Sequence, residues 1–490
     1  MSDRNKKGGH VMEAKSNRIG QSLLRVLTAG LLVFVFSNYA VDQVCAQHTK
    51  GNRFEAFGPT EPMRLDPAKY GERKKATVGV TFDLLPTSMA FHLPSFPCMV
   101  TENNIRYSNF WAETYEPRIG GGSFETSMDE NYRYARMWIQ SQNDARIVVR
   151  VRGALCDSRE NIAHTDIPSG SPYGKGDWVD EWYTIYPDGV HVRHVKIYTG
   201  LASRSRPFGF DREPPAVVHE FMEAAVLGAP GHLPVEDIEI GALTLIKMVG
   251  GHSETKILGG KSKTVYFKPY PDDFGEFRDA NIMLVNLKSR FKPFTIALPY
   301  GVRIQPYMPE DDLPYIFQTW GDPHDEGYAT AFGHILNFWH YRRTENTLEQ
   351  IYLSGMTDAM NPAKELVPLA WSWIVPPKLR MEGLKSSYQE ITYYPAQKAY
   401  VISCHDVKPS ELEFELEPDE DYYDIKQTIV NPVIVVKDWG KASVALEIDD
   451  KSVKQGQNFR IGYETTKEGT DLVLWLKLKT TKSIWLTLRK

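Results

Sequence analysis

The sequence predicts an all-β protein: a jelly-roll-like β-sandwich body followed by a smaller C-terminal β-sandwich. Three observations predict it. Short runs of β-branched and aromatic residues, each bounded by turn residues, recur from about residue 77 to the end. Few stretches carry a helical period. One tract, Trp178 to Tyr198, reads as a complete β-hairpin.

Residues 1–46 read as a removable export signal. Lys15, Arg18 and Arg25 precede an apolar run from Val26 to Phe36, and Val44-Cys45-Ala46 fits a small-residue cleavage site. The run is short for a membrane span, and nothing later is long and apolar enough to cross. The expected location is therefore periplasmic or extracellular, without stable membrane insertion after signal removal. Of the 4 Cys, Cys98, Cys156 and Cys404 remain after cleavage, so at most one internal disulfide can form. The 490-residue chain carries a net charge of −5, which becomes −8 without residues 1–46. That balance argues against a nucleic-acid partner but leaves room for local basic clusters that hold an anionic glycan. The chain has 11 Trp and 25 Tyr, side chains suited to stacking and also common in β cores.

The body is expected over 47–375. Its strands include Lys75–Asp83, Tyr132–Gln140, Arg146–Arg152, Val217–Val226, Ile240–Met248, Thr264–Pro269, Ile282–Leu287 and Phe294–Leu298. Ala329–Asn337 and Thr347–Leu353 carry enough helical period to be read as short helices. Trp373-Ile-Val-Pro-Pro-Lys378 marks a boundary. Beyond it, 376–490 holds Tyr393–Ser403, Thr428–Val436, Leu472–Leu478 and Ser483–Leu488, enough strands for a second sandwich.

In the hairpin, Pro187-Asp188-Gly189 supplies a preset φ, a turn-tolerant residue and a left-handed position in succession. A three-residue loop pairs Tyr186 with Val190. The register then pairs Trp182 with His194, Asp180 with Lys196 and Trp178 with Tyr198, and alternation puts all six on one face. Indoles, imidazole, ammonium, carboxylate and phenol together suit sugar binding and proton transfer. They equally suit a wet outer sheet face.

A basic tract precedes the hairpin. An even-numbered loop through Ser141–Asp144 would put Tyr134 and Trp138 beside Ile147, Val149 and Val151 on a core face. Arg136 shares that face, and Arg133 falls beside Arg150 and Arg152 on the other. Adjacent guanidiniums need an anion between them, either an Asp or Glu from a neighbouring strand or a bound carboxylate or sulfate. Among the histidines, His219 lies in an expected strand and His324 in the loop Trp320-Gly-Asp-Pro-His324. No His-Glu-x-x-His pair supports a catalytic metal. Asp272-Asp273, Asp311-Asp312 and Asp419–Asp421 could offer oxygens to a structural calcium, though none matches an EF-hand. No Gly-x-Ser-x-Gly elbow supports a serine nucleophile. Glu181, Glu220 and Glu223 leave a two-carboxylate glycoside hydrolase open.

Gly176–Val190, Asp144–Arg150 and Asn431-Pro with Val436-Lys-Asp-Trp-Gly440 resemble segments of exported β-sandwich proteins from marine bacterial polysaccharide-utilisation clusters. That family is associated with ulvan breakdown, as lyases or as an oligosaccharide dehydratase. Related sequences carry Trp-Trp-Asn-His-Trp-Pro where this chain has Thr319-Trp-Gly-Asp-Pro-His324. The resemblance implies β-elimination on an anionic, uronate-containing glycan with no cofactor. A base takes the proton at C5, an acid serves the leaving oxygen at C4, and a cation neutralises the carboxylate. Matched to this chain, it implies His194 as base and Tyr198 as acid or base, with His219 and His324 as reserve bases. Arg136, Arg150 and Lys196 would bind the anion, and Trp182 and Trp320 would stack. Dehydration at the non-reducing-end uronate and plain carbohydrate binding are the alternatives.

Overall fold

The computed structural model describes residues 53–62, 77–92, 97–109, 112–115, 123–129, 131–206, 217–248, 261–266, 271, 273–306, 316–318, 328–337, 339–381, 389–404, 410–419 and 427–490. Two large antiparallel sheets face one another. The first runs, in spatial order, Lys261–Val265, Ile238–Lys247, Ile282–Leu287, Lys292–Ala297, Thr347–Thr357, His191–Tyr198, Trp178–Ile185, Ile147–Ala154 and Arg136–Gln142. The last four are labelled in chain order β1 (Arg136–Gln142), β2 (Ile147–Ala154), β3 (Trp178–Ile185) and β4 (His191–Tyr198), and Thr347–Thr357 is β5. The second sheet runs Glu55–Phe57, Thr77–Thr81, Ser88–His92, Cys98–Val100, Arg106–Ser108, Glu223–Gly228, Tyr328–Asn337 and Val302–Pro306. Val149, Val151, Tyr183, Val195 and Ile197 of the first sheet close on Val80, Phe91, Tyr107, Val226 and Phe332 of the second. Each such buried aliphatic side chain contributes about 1.5–3 kcal/mol. The all-β sandwich expected from sequence is the observed fold.

The hairpin forms in the expected register: Trp178 with Tyr198, Asp180 with Lys196, Trp182 with His194. The Tyr186 amide donates to the Val190 carbonyl at 2.9 Å, and Gly189 takes φ +75°.

The two expected helices are strands. Tyr328–Asn337 pairs with Glu223–Gly228 and Val302–Pro306, and β5 pairs with β4 and Lys292–Ala297. Nearly every residue of β5 is buried, so polar alternation is absent and Leu348, Ile351 and Tyr352 mimic a helical stripe. The expected Val217–Val226 strand breaks into Val217–Glu220 and Glu223–Gly228. Tyr132 sits at φ +53°, which delays the start of β1 to Arg136. Its approach is folded by Asp129, whose carboxylate accepts the amides of Arg133, Tyr134 and Ala135 at 2.7–2.8 Å.

One register differs from expectation beside the site. β1 pairs with β2 through a bulge between Ile139 and Ser141, so Trp138 faces Arg150 and Arg136 faces Arg152. The loop closes over 143–146 and not 141–144, which alone would keep the faces, and the extra residue Gln140 then shifts the pairing by one more, which exchanges them. Trp138 and Arg136 therefore share the hairpin's outer face, and Met137 and Ile139 enter the core instead.

One part of that outer face is covered by helix α1 (Pro362–Ile374), which the sequence reading missed. Asn361 caps it by accepting the Lys364 amide, and Pro362 occupies its first turn. Leu366, Val367, Ala370 and Trp373 pack on Val192, Ile296, Ile351 and Leu353. Strands after α1 build two five-stranded sheets. One runs Lys378–Met381, Glu411–Glu417, Ile484–Arg489, Ala445–Ile448 and Lys451–Val453; the other runs Gln389–Tyr394, Ala399–Cys404, Val433–Val436, Thr470–Leu476 and Phe459–Thr465. Phe414, Trp439, Leu474 and Leu486 are among the residues filling the space between them.

This C-terminal layer grips the hairpin turn. Asn431 Nδ2 donates to Asp188 Oδ2 at 2.6 Å, and the Tyr186 hydroxyl donates to the Gln397 carbonyl. Lys398 Nζ, buried, donates to the carbonyls of Val430 and Asn431 at 3.0 and 2.7 Å. Arg146 binds Glu464 through Nε at 2.6 Å and Nη2 at 2.5 Å, and Arg460 binds Asp83 at 2.8 Å. Cys98, Cys156 and Cys404 form no disulfide with one another.

Candidate active site

The outer face of β1–β5 assembles two polar groups side by side. The first centres on Asp180, fully buried on β3. It accepts Arg150 Nε and Nη2 at 3.2 and 3.0 Å, Arg152 Nε at 3.3 Å, and the Tyr173 hydroxyl. The anion between the two guanidiniums is thus a carboxylate from the neighbouring strand. Arg150 lies over the rings of Trp138 and Trp182 at 5.1 and 4.8 Å, and Arg152 over Tyr173 at 3.8 Å. Burial, reinforced by the bond to Asp180, pushes the Tyr173 phenol well above its ordinary range.

The second group centres on Glu349 of β5. Its carboxylate accepts His194 Nε2 at 2.9 Å and Lys196 Nζ at 3.2 Å. Lys196 therefore turns to β5 and not to its cross-strand neighbour Asp180. The hydrogen bond from His194, with the charge of Lys196 beside it, pulls the Glu349 pKa down to about 2. The His194 ring stacks on Trp182 at 5.1 Å and 25°, and Tyr341 meets its edge at 6.2 Å. Burial raises the Tyr341 phenol. Arg342, exposed, lies 5.1 Å from the Tyr341 ring centre.

Trp182, His194, Tyr341 and Arg342 line one side of a cavity of about 900 Å³. The C-terminal layer supplies the other side, including Tyr394, Gln397, Lys437 and Tyr463. Imidazole, phenol, guanidinium and indole thus converge on one open cleft between two layers, a common setting for small-ligand and sugar sites.

The expected site residues divide. Trp182 and His194 line the cavity. Lys196 and Arg150 stand beside it, each already paired with a carboxylate. Arg136 lies on the same face, but its Nη1 folds back to the Ala135 carbonyl at 2.6 Å. Tyr198 is four residues beyond His194 on β4, which places their Cα atoms about 13 Å apart. It contacts Tyr173 edge-on at 5.8 Å and lies outside the cavity lining. His219 belongs to a separate buried cluster: Nδ1 is 2.9 Å from Ser205 Oγ, and Nε2 is 3.6 Å from Asp177 Oδ2, which also holds His164 Nδ1 at 2.9 Å. Asp177 shares the alternation of Val179 and Glu181, so this cluster sits behind the sheet from His194. His324 and Trp320 lie outside the described residues.

Glu349 and Tyr341 were missed because reading Thr347–Leu353 as a helix hid the β4–β5 pairing. The turn residues Thr344-Glu345-Asn346 between Arg342-Arg343 and β5 were the available signal. Among the described residues no group of three His, Cys, Asp or Glu is arranged to hold a metal ion. Of the acidic runs considered for calcium, Asp419 is paired with Lys378 at 3.3 Å, whereas Asp272, Asp311, Asp312, Glu420 and Asp421 lie outside the described residues. No described helix is long and apolar enough to cross a membrane.

No protein-family model matches the chain, and no curated protein matches it. Among solved structures, lysyl oxidase from Pichia pastoris aligns at 8% identity over 56% of this chain and 52% of that one, with a TM-score of 0.24. A polysaccharide lyase aligns at 6% identity over 80% of this chain and 43% of that one, with a TM-score of 0.18. The alignments span about half the length of those proteins or less, and neither score is that of a shared fold.

Proposed function

We propose that the protein is an exported enzyme that cleaves or dehydrates uronate-containing, sulfated polysaccharide or its oligomers by β-elimination. In this reading residues 1–46 direct export, 47–375 carry the chemistry, and 376–490 form a second sandwich that walls the site. The observation that carries it is the His194–Glu349 pair set against Trp182, Tyr341 and Arg342 in one cavity. With Nε2 donating to Glu349, a neutral His194 keeps its lone pair on Nδ1 and can accept a proton. Arg342 is the exposed cation nearest this pair by chain position and offers a bidentate partner to the uronate carboxylate, making the C5 proton more acidic. Tyr341, its phenol held protonated by burial, suits the acid that serves the oxygen leaving C4. This reading moves the acid from Tyr198 to Tyr341, which touches the imidazole edge.

A second reading, glycan binding without turnover, has its own support. Arg150 and Arg152 share the Asp180 carboxylate and Lys196 pairs with Glu349, as expected of a structural network beneath a stacking surface.

The test is to incubate the mature protein with ulvan, other uronate glycans and their oligomers. Ultraviolet absorbance of unsaturated uronate and new reducing ends are then followed together. Absorbance with new ends supports a lyase, and absorbance without them a dehydratase. New ends alone would point to hydrolysis, and binding alone would overturn the enzymatic reading. His194→Ala should abolish the absorbance change while leaving binding intact.

A further inference from the structure

Two large aromatic side chains outside the cavity lining remain in solvent. Trp339 is 72% exposed and Tyr300 is 62% exposed. They are brought together by the pairing of Val302–Pro306 with Tyr328–Asn337, in which Val302 lies opposite Asn337. Gly301, at φ +66°, lies directly under the indole: a Cβ there would fall 1.8 Å from Trp339 Cδ1. Only a residue without a side chain lets the ring approach the backbone so closely. The Trp339 backbone is anchored, since its carbonyl accepts Gln350 Nε2 at 2.8 Å. Gln350 is buried on β5 opposite Val195, on the sheet face away from Glu349. An indole propped on a glycine turn, with a fixed backbone and its surface left to water, costs apolar hydration unless a partner covers it.

The position identifies the partner. Trp339 precedes Tyr341 by two residues, so their Cα atoms are at most about 7 Å apart. Between them His340 turns the other way, packing edge-on against Phe221 at 5.6 Å, and burial lowers its pKa to about 4. Trp339 lies outside the cavity lining, so a chain would reach it by extending past Tyr341. We propose that Trp339 and Tyr300 form an outlying stacking subsite for a further pyranose ring of the glycan whose reacting uronate occupies the His194 cavity. This rests on the glycan reading given above. It adds that the protein engages an extended chain and not a lone monosaccharide. The ring faces of a pyranose carry C–H groups that complement the electron-rich indole face, and the ligand's charge stays with the cations of the cavity.

Binding is measured by calorimetry with uronate oligomers of increasing length and by retardation in native gels containing ulvan, using catalytically silent His194→Ala as background. Trp339→Ala should weaken binding of the longer oligomers by about 2- to 10-fold and leave the shortest binding oligomer unaffected. Trp339→Phe should recover most of the loss, which separates a missing ring from a misfolded protein. Tyr300→Ala should show a smaller loss with the same length dependence. Equal affinity of Trp339→Ala for every length would overturn the subsite and leave the cavity reading standing. Failure of the parent protein to bind any uronate glycan would overturn both.

Discussion

Replacing Glu349 by Gln tests whether a single carboxylate organises the cavity. In the native protein its pKa falls from 4.5 to about 2, with the hydrogen bond from His194 as the main cause. A depressed folded-state pKa stabilises the fold above the unfolded value, and the stabilisation is lost as pH falls through the folded value. The window is therefore pH 4.5 down to about 2. At about 1.4 kcal/mol per pH unit, the full shift corresponds to an upper bound of about 3 kcal/mol. Gln keeps a carbonyl acceptor but removes the charge facing His194 and Lys196, so a loss of about 1–3 kcal/mol is expected at neutral pH. Urea midpoints are compared for both chains at pH 7 and at steps down to pH 2.5. The native protein should lose its advantage over Glu349→Gln progressively below pH 4.5. Activity of the variant should fall about 100-fold, because the imidazole loses the group that fixes its tautomer and direction. A constant stability difference across the whole pH range would refute the argument that Glu349 is ionised and held by these partners.

Other substitutions probe the surroundings. Tyr341→Phe should lower turnover by about 100-fold with little change in binding, whereas Tyr198→Phe should stay within about threefold of the parent; steady-state rates on oligomers decide between them. Asp180→Asn leaves Arg150 and Arg152 without their shared anion. It should cost about 3 kcal/mol and bring the Tyr173 phenol back toward its ordinary range, seen in an ultraviolet pH titration. Arg146→Ala strands the carboxylate of Glu464 and should cost about 3–5 kcal/mol in thermal unfolding, with the double replacement Arg146→Met and Glu464→Leu recovering most of it.

The hairpin was legible because turn chemistry and strand alternation agree there: Pro187-Asp188-Gly189 sets the loop, and the loop sets every cross-strand partner. Residues whose placement depends on one local rule came out correctly, as with Trp182 against His194. The errors arose where local signals point elsewhere. β5 is buried on both faces and shows no alternation, so Leu348, Ile351 and Tyr352 read as a helical stripe. A bulge at Gln140 leaves no compositional mark, yet it moved Trp138, still buried, from the core face of the sheet to the outer face. The interior Pro368 disguised α1, although Asn361-Pro362 at its start was a usable cap signal. Glu349 and Tyr341 could not be joined to His194 until β5 was known to lie beside β4. Tyr198, the acid expected on the hairpin itself, lies about 13 Å along β4 from His194, a separation that face alternation alone does not weigh.

The grip on the hairpin turn bears on how this protein can be rebuilt. Asn431 holds Asp188, the Gln397 carbonyl holds Tyr186, and Tyr394, Lys437 and Tyr463 face His194 across the same space. A tail that merely stood beside the body could be exchanged for any other. This one grips the turn that leads into the strand bearing the imidazole and furnishes one wall of the cleft beside it. Transplanting residues 47–375 alone onto another carrier would deliver an opened site on a loosened hairpin, so useful chimaeras must graft both layers together.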